Sequence, residues 1–196
     1  MTKVPGSPGP CLVREGGVEP PHPFEYTDLT NADLTGADLT NVDLYGADLT
    51  NADLRDADLT NADLRDADLT NADLTGTNLT GTNLTGTNLY DANLTGADLS
   101  GANLRGAYLK GVHLGVNLTN ADLTKADLTE ADLNGVNLTN ADLTKADLTE
   151  ANLNGANLTG ANLTRADLTD AYLGDASLDD AICYYTTIAD GRFHHS

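Results

Sequence analysis

The side chains of this chain that could do chemistry are mainly carboxylates. Its 196 residues include 30 acidic residues, 10 basic residues, four histidines and two cysteines, and the net charge is −20. Paired carboxylates act as general acids and bases or bind Ca²⁺, while histidine and cysteine supply nucleophiles, bases and Zn²⁺ ligands. Each of these roles requires that the groups meet in space, which depends on the elements that carry them.

The histidines and cysteines do not form a recognisable catalytic or metal-binding group. His113 stands where the surrounding sequence has Asp or Asn, and Cys11 and Cys183 lie at opposite ends of the chain. The other histidines are close to the termini: His22, His194 and His195. Neither a nucleophile–histidine pair, nor Zn²⁺-ligand spacing, nor an EF-hand loop can be assembled from these residues. We therefore expect a protein that is not an enzyme and has no cofactor or bound metal.

Composition narrows the class of protein further. Hydrophobic residues make up 40% of the chain, too many for a solvated acidic tail, so the chain is expected to fold. No apolar run approaches the ~20 residues that cross a bilayer, and the N-terminal MTKVPGSPGP has no apolar signal segment. A net charge of −20 disfavours direct binding to nucleic acid or anionic membranes. These features predict a soluble, cytoplasmic protein with no nucleic-acid or membrane partner.

The chain divides by composition into three parts. All six prolines lie within residues 1–26, which we expect to be an irregular head rich in Pro and Gly. Its stretch CLVREGGVEPPHPFEY resembles translated transfer-RNA genes, which leaves open whether the native protein starts further along the chain. A five-residue repeat occupies residues 27–190, and a short tail, 191–196, follows it. Because the repeat covers most of the chain, it decides the fold.

The repeat is marked by a central leucine at every fifth position. The leucines run from Leu29 to Leu114 and again from Leu118 to Leu178, which makes 31 repeats. A period of five forms no stripe on an α-helix, where five residues turn about 500°. In an extended segment the leucine shares a face with the residue two before it, here termed the inner residue, and the outward residue lies between them. The core is therefore expected to contain central leucines such as Leu29, Leu34, Leu84, Leu143 and Leu178.

Three inner residues are polar. Thr77, Thr82 and Thr87 stand where the repeat usually has Ala, and the same register predicts that they point inward. Their hydroxyls will then need hydrogen-bond partners inside the core.

The corner residue, two after each leucine, predicts where the chain turns. Gly, Asn or Asp recurs there, and these residues tolerate positive φ. Residues 118–137 (LTNADLTKADLTEADLNGVN) are almost repeated in 138–157 (LTNADLTKADLTEANLNGAN), so that one coil takes four repeats. Two corners of this unit carry Lys125 and Glu130 instead, which suggests two turn types per coil. The sequence predicts a square coil of about eight turns.

Arrays such as ADLTNADLRDADLTNADL resemble the pentapeptide-repeat family, over about residues 24–190. The resemblance implies an all-β fold, a right-handed quadrilateral parallel β-helix, with the central and inner residues inside. Phe24 and Ile188 continue the register beyond Leu29 and Leu178. Because the end of a solenoid exposes an unpaired edge, four residues are expected to cap the coil. These are Phe24, Tyr184, Tyr185 and Ile188; an end-to-end contact is the alternative, so we expect a monomer or a weak end-to-end dimer.

A candidate contact surface lies where the repeat departs from its pattern. Between Leu114 and Leu118 one residue is missing, which shortens a corner at Gly115. A local turn adjustment explains this, with a kink or an interaction site as the alternative. Nearby, two bases, an aromatic residue and a histidine replace the plain pattern: Arg105, Tyr108, Lys110 and His113. If every coil presented the same surface, a partner could bind at any of them. These residues and Gly115 are therefore the candidate contact surface. The alternative is neutral drift on an exposed face.

The acidic residues form columns. From Asp28 to Asp73 ten successive outward residues are Asp, and each would stack on another one coil away, at ~4.8 Å. Like charges at that spacing repel, so we expect raised pKa values for these aspartates and greater stability at moderate than at low salt.

Two functions of different classes fit these features. The first is a non-catalytic rigid scaffold or protein-interaction module with an unknown protein partner. The second, implied by the resemblance, is a DNA mimic that inhibits or protects a topoisomerase such as DNA gyrase, as some pentapeptide-repeat proteins do. A charge of −20 over ~40 Å of coil approaches the charge density of duplex DNA. The uniform repeats, without projecting loops, favour the scaffold.

Overall fold

The computed structural model describes residues 27–110, 112 and 115–188, so the expected cap Phe24 and the candidate contact residue His113 lie outside the described residues. The described backbone winds into a coil with four sides. Each side carries the outward residue of one repeat in an isolated parallel β-bridge to the next coil, from Asp28 with Asp48 to Asp167 with Thr187. Within these ranges there is no helix and no strand longer than a bridge. The same residues include no helix that could cross a membrane.

Four columns of outward residues run along the coil, one on each side. Side 1 carries Asp28, Asp48, Asp68, Asn88, Tyr108, Asp127, Asp147, Asp167 and Thr187. Sides 2, 3 and 4 begin with Asp33, Asp38 and Asp43, respectively. Successive members of a column come from neighbouring coils, so side chains about 20 residues apart in the sequence lie next to one another.

The backbone hydrogen bonds run either along the coil axis or within a corner. Leu29 N–H donates to Asp48 O at 2.7 Å, and Asp48 N–H donates back to Thr27 O at 3.0 Å. At the corner, Ala32 N–H donates to Leu29 O at 2.9 Å and closes a four-residue turn. This arrangement pairs the polar backbone groups that the coil buries, as a folded chain requires.

Apart from the shortened corner at Gly115, the described corners have the same geometry, and the expectation of two turn types is wrong. Corner residues have φ between 54° and 73°, and Lys125 (62°) and Glu130 (60°) do not differ from Asn120 (59°). The corner residue is the third of the four turn residues, and a positive φ at that position alone is characteristic of a type II turn. Hydrogen bonds on both sides of the corner fix this geometry; Lys125 N–H, for example, donates to Thr144 O at 3.0 Å. The backbone therefore imposes the turn on whichever residue stands there.

The core consists of the central leucines and the inner residues, in the register that the sequence predicts. Leu34, Leu84 and Leu143 are buried. Leu29 and Leu178, which we also expected in the core, are only partly buried and pack against it. They belong to the first and last described coils, which have a described neighbour on one side only.

The three inner threonines point into the core, as expected, and are fully buried. Each hydroxyl donates to a leucine carbonyl of the preceding coil: Thr77 to Leu54 at 2.8 Å, Thr82 to Leu59 at 2.8 Å and Thr87 to Leu64 at 2.6 Å. No buried side-chain nitrogen or oxygen of the described residues lacks a hydrogen-bond partner.

The missing residue near Gly115 is absorbed within one coil. Bridges across this coil join residues 19 apart, such as Asp98 with Asn117, and the offset returns to 20 from Asn117 with Asn137. Gly115 itself lacks a positive φ, and its carbonyl accepts a hydrogen bond from Gly96 N–H at 2.9 Å. The bridges continue through this coil on sides 1, 3 and 4. This continuity supports a local turn adjustment rather than a break between two blocks.

Candidate functional site

The structure brings some of the candidate contact residues together and separates one of them. Tyr108 is the outward residue of side 1, and Lys110 lies at the end of the same side. Arg105 lies at the end of side 4, next to the corner that leads to Tyr108. Gly115 lies two corners further on, between sides 2 and 3, and is exposed. Tyr108 and Lys110 therefore share a surface, Arg105 borders it and Gly115 does not belong to it.

Tyr108 and Lys110 line a groove together with residues of the neighbouring coils. The groove has a volume of about 400 Å³ and is lined by Asn88, Tyr90, Tyr108, Lys110 and Asp127. Asn88 lies next to Tyr108 in the column of side 1, and Asp127 follows Tyr108 in the next coil. We refer to these five residues as the side-1 groove.

Two tyrosines give the groove its apolar character. Tyr90 is 45% exposed and Tyr108 is 56% exposed. Tyr90 follows its leucine, where the repeat usually has Thr, and Tyr108 occupies an outward position, where it usually has Asp or Asn. Exposed tyrosines are frequent anchors of protein interfaces, because a large ring is buried at a small cost in side-chain entropy.

The charge of Lys110 is balanced by a neighbouring carboxylate. Its Nζ lies 3.1 Å from Glu130 Oε1 in the next coil. The hydrogen bond and the charge of Glu130 raise the pKa of Lys110, with a smaller contribution from the charge of Asp127. Lys110 therefore lines the groove with its charge held in an ion pair with Glu130.

Three groove residues, Asn88, Tyr90 and Asp127, are not among the candidate contact residues predicted from the sequence. The 20-residue offset places position 88 beside 108 and position 90 beside 110, so the signal was present in the repeat itself. The groove is visible only when residues are compared along columns rather than along the chain.

The outward Asp and Asn side chains accept hydrogen bonds from residues of their own repeats. Asp38 Oδ1, for example, accepts hydrogen bonds from Thr40 N–H at 3.2 Å and from the Thr40 hydroxyl at 2.5 Å. Asp68 accepts the same two bonds from Thr70. These contacts form Asx turns, in which a side-chain oxygen caps the backbone two residues later. The spacing of Asp or Asn two before Thr, which recurs in the repeat, therefore has a structural reason.

These hydrogen bonds favour the charged form of the aspartates, so the expectation of raised pKa values is wrong for four of them. Bonds from Thr30, Thr40 and Thr50 lower the pKa values of the outward residues two positions earlier, Asp28, Asp38 and Asp48. The charge of Asp28 acts in the opposite direction on Asp48, but its influence is the weaker one.

Asp53 shows the largest effect. The guanidinium of Arg55 donates to both of its carboxylate oxygens, with 2.7 Å between Nε and Oδ1. These hydrogen bonds lower the pKa of Asp53 to about 2. At Asp53 the hydrogen bonds from Arg55 therefore set the direction of the shift in pKa.

The residues expected to cap the coil do not act alike. Tyr184 and Tyr185 are 69% and 83% exposed, so their rings do not cover the last described coil. Tyr185 is a corner residue with a φ of 58°, and its ring lies 5.9 Å from the guanidinium of Arg165. Tyr184 directly precedes this corner, so neither residue occupies a central or inner position from which its ring could reach the core. Ile188, in contrast, packs against the core.

No group of three or more His, Cys, Asp or Glu side chains in the described part of the chain could hold a metal ion. Cys183 is exposed and has a free thiol.

The family of this chain follows from its sequence. The family model for pentapeptide repeats (8 copies) matches residues 24–56, 52–89, 87–114, 115–149 and 146–182. The chain belongs to the pentapeptide-repeat family. Its fold is the right-handed quadrilateral β-helix of that family, and the four-sided coil predicted from the duplication is confirmed.

Several solved structures are similar to this chain. QnrB1, a plasmid-mediated fluoroquinolone resistance protein, has a TM-score of 0.66 and 17% identity, over 83% of this chain and 89% of QnrB1. HetL, involved in heterocyst differentiation regulation in the cyanobacterium Nostoc, is 35% identical over 85% of this chain and 87% of HetL, with a TM-score of 0.29. Rfr23 of the cyanobacterium Cyanothece is 33% identical over 59% of this chain and 90% of Rfr23, with a TM-score of 0.38. The likeness to QnrB1 shows the fold alone. No curated protein sequence matches this chain.

Proposed function

We propose that this protein is a non-catalytic rigid scaffold whose side-1 groove binds a protein partner. The groove carries the proposal, because Tyr90 and Tyr108 line it with exposed rings at positions where most repeats have Thr, Asp or Asn. The surface is assembled from three coils, which gives a partner a fixed register along the array.

The packing of the coil supports a scaffold role. The described central leucines and inner residues are buried from Leu44 to Leu168, and axial backbone bonds join each coil to the next. Groove residues far apart in the sequence, such as Tyr90 and Asp127, are therefore held at set positions. Binding would lose little conformational entropy, because the surface is already ordered.

A photocross-linking experiment tests the proposal. A benzophenone amino acid would replace Tyr108 in one variant and Tyr172, an exposed outward tyrosine of side 2, in the matched control. In extracts of the source cells, the Tyr108 variant should give a discrete protein adduct that disappears when Tyr90→Thr is added. Absence of an adduct at Tyr108, or the same adduct at both positions, would contradict the proposal.

A second candidate is a DNA mimic acting on a topoisomerase such as DNA gyrase. Residues 27–73 contain 12 acidic and two basic residues. Hydrogen bonds hold the pKa values of Asp28, Asp38 and Asp48 below the ordinary 3.8, so these residues are charged at neutral pH. The shared fold with QnrB1, a fluoroquinolone resistance protein, supports testing this candidate.

A gyrase supercoiling assay with and without a fluoroquinolone separates the two candidates. A DNA mimic should change supercoiling or drug sensitivity, and changing the ten outward aspartates from Asp28 to Asp73 to asparagine should remove that effect. Asparagine keeps the Oδ1 acceptor of each Asx turn, so this variant removes charge with little change in local structure. The scaffold proposal expects no effect of either protein on gyrase.

Three further expectations belong to the same proposal: a cytoplasmic location, a monomer or weak end-to-end dimer, and an irregular head (1–26) and tail (191–196) outside the repeat domain. Sedimentation equilibrium would measure the oligomeric state. Limited proteolysis should cut in the head and tail first, and early cuts inside residues 27–190 would contradict the domain boundaries.

A further inference from the structure

Charge is distributed along the coil in three blocks. Residues 27–73 have a net charge of −10, from 12 acidic and two basic residues. Residues 118–188 have a net charge of −9, from 12 acidic and three basic residues. Between them, residues 74–117 have two of each and a net charge of zero. Four of the five groove residues lie in this neutral block, and Asp127 lies just beyond it.

The column of outward residues on side 1 shows the same pattern, with acidic residues before and after an uncharged pair. Asp48 and Asp68 precede Asn88 and Tyr108, and Asp127 and Asp147 follow them. Asp68 and Asp127 are three coils apart, about 14 Å at ~4.8 Å per coil. An apolar groove thus lies between two carboxylates on one side of the coil.

Two basic residues lie near the groove, and carboxylates lie close to both of them. The charge of Lys110 is met by Glu130 at 3.1 Å. Arg105 lies at the end of side 4, and side 1, across the corner from it, carries Asp48, Asp68, Asp127 and Asp147. A nucleic acid, another anionic partner or a second copy of this chain would bring negative charge towards both acidic blocks.

We propose that the side-1 groove binds a protein segment in which an apolar or aromatic side chain lies between two cationic residues. The apolar side chain would contact Tyr90 and Tyr108, and the cations would lie over Asp68 and Asp127. This inference rests on the proposed scaffold function and specifies the chemistry of the partner.

A short tryptophan peptide tests the inference directly, because the chain contains no Trp and excitation above the absorption band of its seven tyrosines selects the peptide. The probe is acetyl-Arg-Gly-Trp-Gly-Arg-amide, whose two Arg Cα atoms lie ~13 Å apart when extended. Peptides with Gln or Glu in place of both Arg residues are the controls. The full chain should bind the Arg peptide about tenfold more tightly than the Gln peptide and bind the Glu peptide least. The preference for Arg should decrease between ~20 and ~200 mM salt.

Matched variants locate the binding site. Tyr90→Thr with Tyr108→Asn restores the plain repeat and should weaken Arg-peptide binding about tenfold. Tyr172→Asn, which removes an exposed tyrosine elsewhere, should have no effect. Asp68→Asn with Asp127→Asn should abolish the preference for Arg over Gln and leave the fold intact.

The outcomes separate this inference from the proposed function. Failure of the Arg peptide to bind, equal binding of the Glu peptide, or full binding by the Tyr90→Thr and Tyr108→Asn variant would overturn the inference. If a partner still cross-links at position 108 in that case, the scaffold function stands and only the predicted chemistry of the partner fails. If the peptide binds as expected but no cross-linked partner is found, the scaffold function fails.

Discussion

Asn93 donates a hydrogen bond from its Nδ2 to the hydroxyl of Thr75, one coil earlier, at 3.0 Å. The same nitrogen lies 3.4 Å from Asp73 Oδ1, the adjacent outward residue of side 2. Asn88 makes the equivalent contacts with Thr70 and Asp68. Where the outward residue changes from Asp to Asn, like-charge stacking is replaced by a hydrogen bond between coils.

The change Asn93→Asp should therefore destabilise the protein by about 1 kcal/mol, because a donor is lost and a carboxylate is placed next to Asp73. The loss should be greater at ~10 mM than at ~200 mM salt, since screening weakens the repulsion. Asn137→Asp is the control, because its column neighbours Asn117 and Asn157 are uncharged. Thermal unfolding at both salt concentrations measures the difference, and equal losses for the two variants would show that the columns do not interact.

The lowered pKa of Asp53, about 2 compared with an ordinary value of 3.8, predicts acid sensitivity. On acidification the unfolded chain binds a proton at this residue before the folded chain does. Its contribution to stability is therefore present above about pH 4 and is lost as the pH falls towards 2.

Melting temperatures measured between pH 5 and pH 2 should accordingly decrease, and Arg55→Thr should make the decrease smaller by raising the pKa of Asp53. Arg105→Thr is the matched control, because the outward residue two before it, Asn103, does not titrate. A protein that becomes more stable over this pH range would restore the original expectation of raised pKa values.

Core burial predicts different costs for two equivalent leucines. Leu84→Ala should destabilise the protein by ~2–5 kcal/mol, because it leaves a cavity among fully buried neighbours. Leu29→Ala should cost clearly less, because Leu29 is only partly buried at the first described coil. Urea unfolding of the two variants compares them, and equal costs would mean that the end coils are packed as tightly as the centre.

The uniform corner geometry predicts a stabilising substitution. Lys125 has a φ of 62°, a conformation that costs a residue with a side chain roughly 1–2 kcal/mol. Lys125→Gly should raise stability by about 0.5–1 kcal/mol, since the loss of strain exceeds the greater unfolded-state entropy of glycine. Lys125→Ala removes the same charge but keeps the strain, so it should not stabilise. If both variants stabilise equally, charge rather than backbone strain explains the gain.

The repeat register could be predicted from the sequence because one pattern controls both packing and pairing. The positions of Leu84, Leu143 and Thr82 follow from the five-residue period, and the four-sided coil follows from the 20-residue duplication.

The turn geometry at Lys125 and Glu130 could not be predicted from residue type, because axial hydrogen bonds fix it. The pKa direction was missed because charge stacking was considered without the Thr donors two residues later. Tyr90 was missed because its relation to Lys110 is visible only across coils.

The axial direction of the backbone hydrogen bonds has a mechanical consequence. Leu29 N–H to Asp48 O and its equivalents join neighbouring coils along the axis, so pulling on the two ends of the coil loads these bonds in tension. Coils should then detach one after another from an end. Each should release 20 residues of chain, or 19 at the short coil, and 20 residues extend to about 70 Å. In a force–extension trace the array would act as an extensible tether with evenly spaced ruptures, apart from one slightly shorter step.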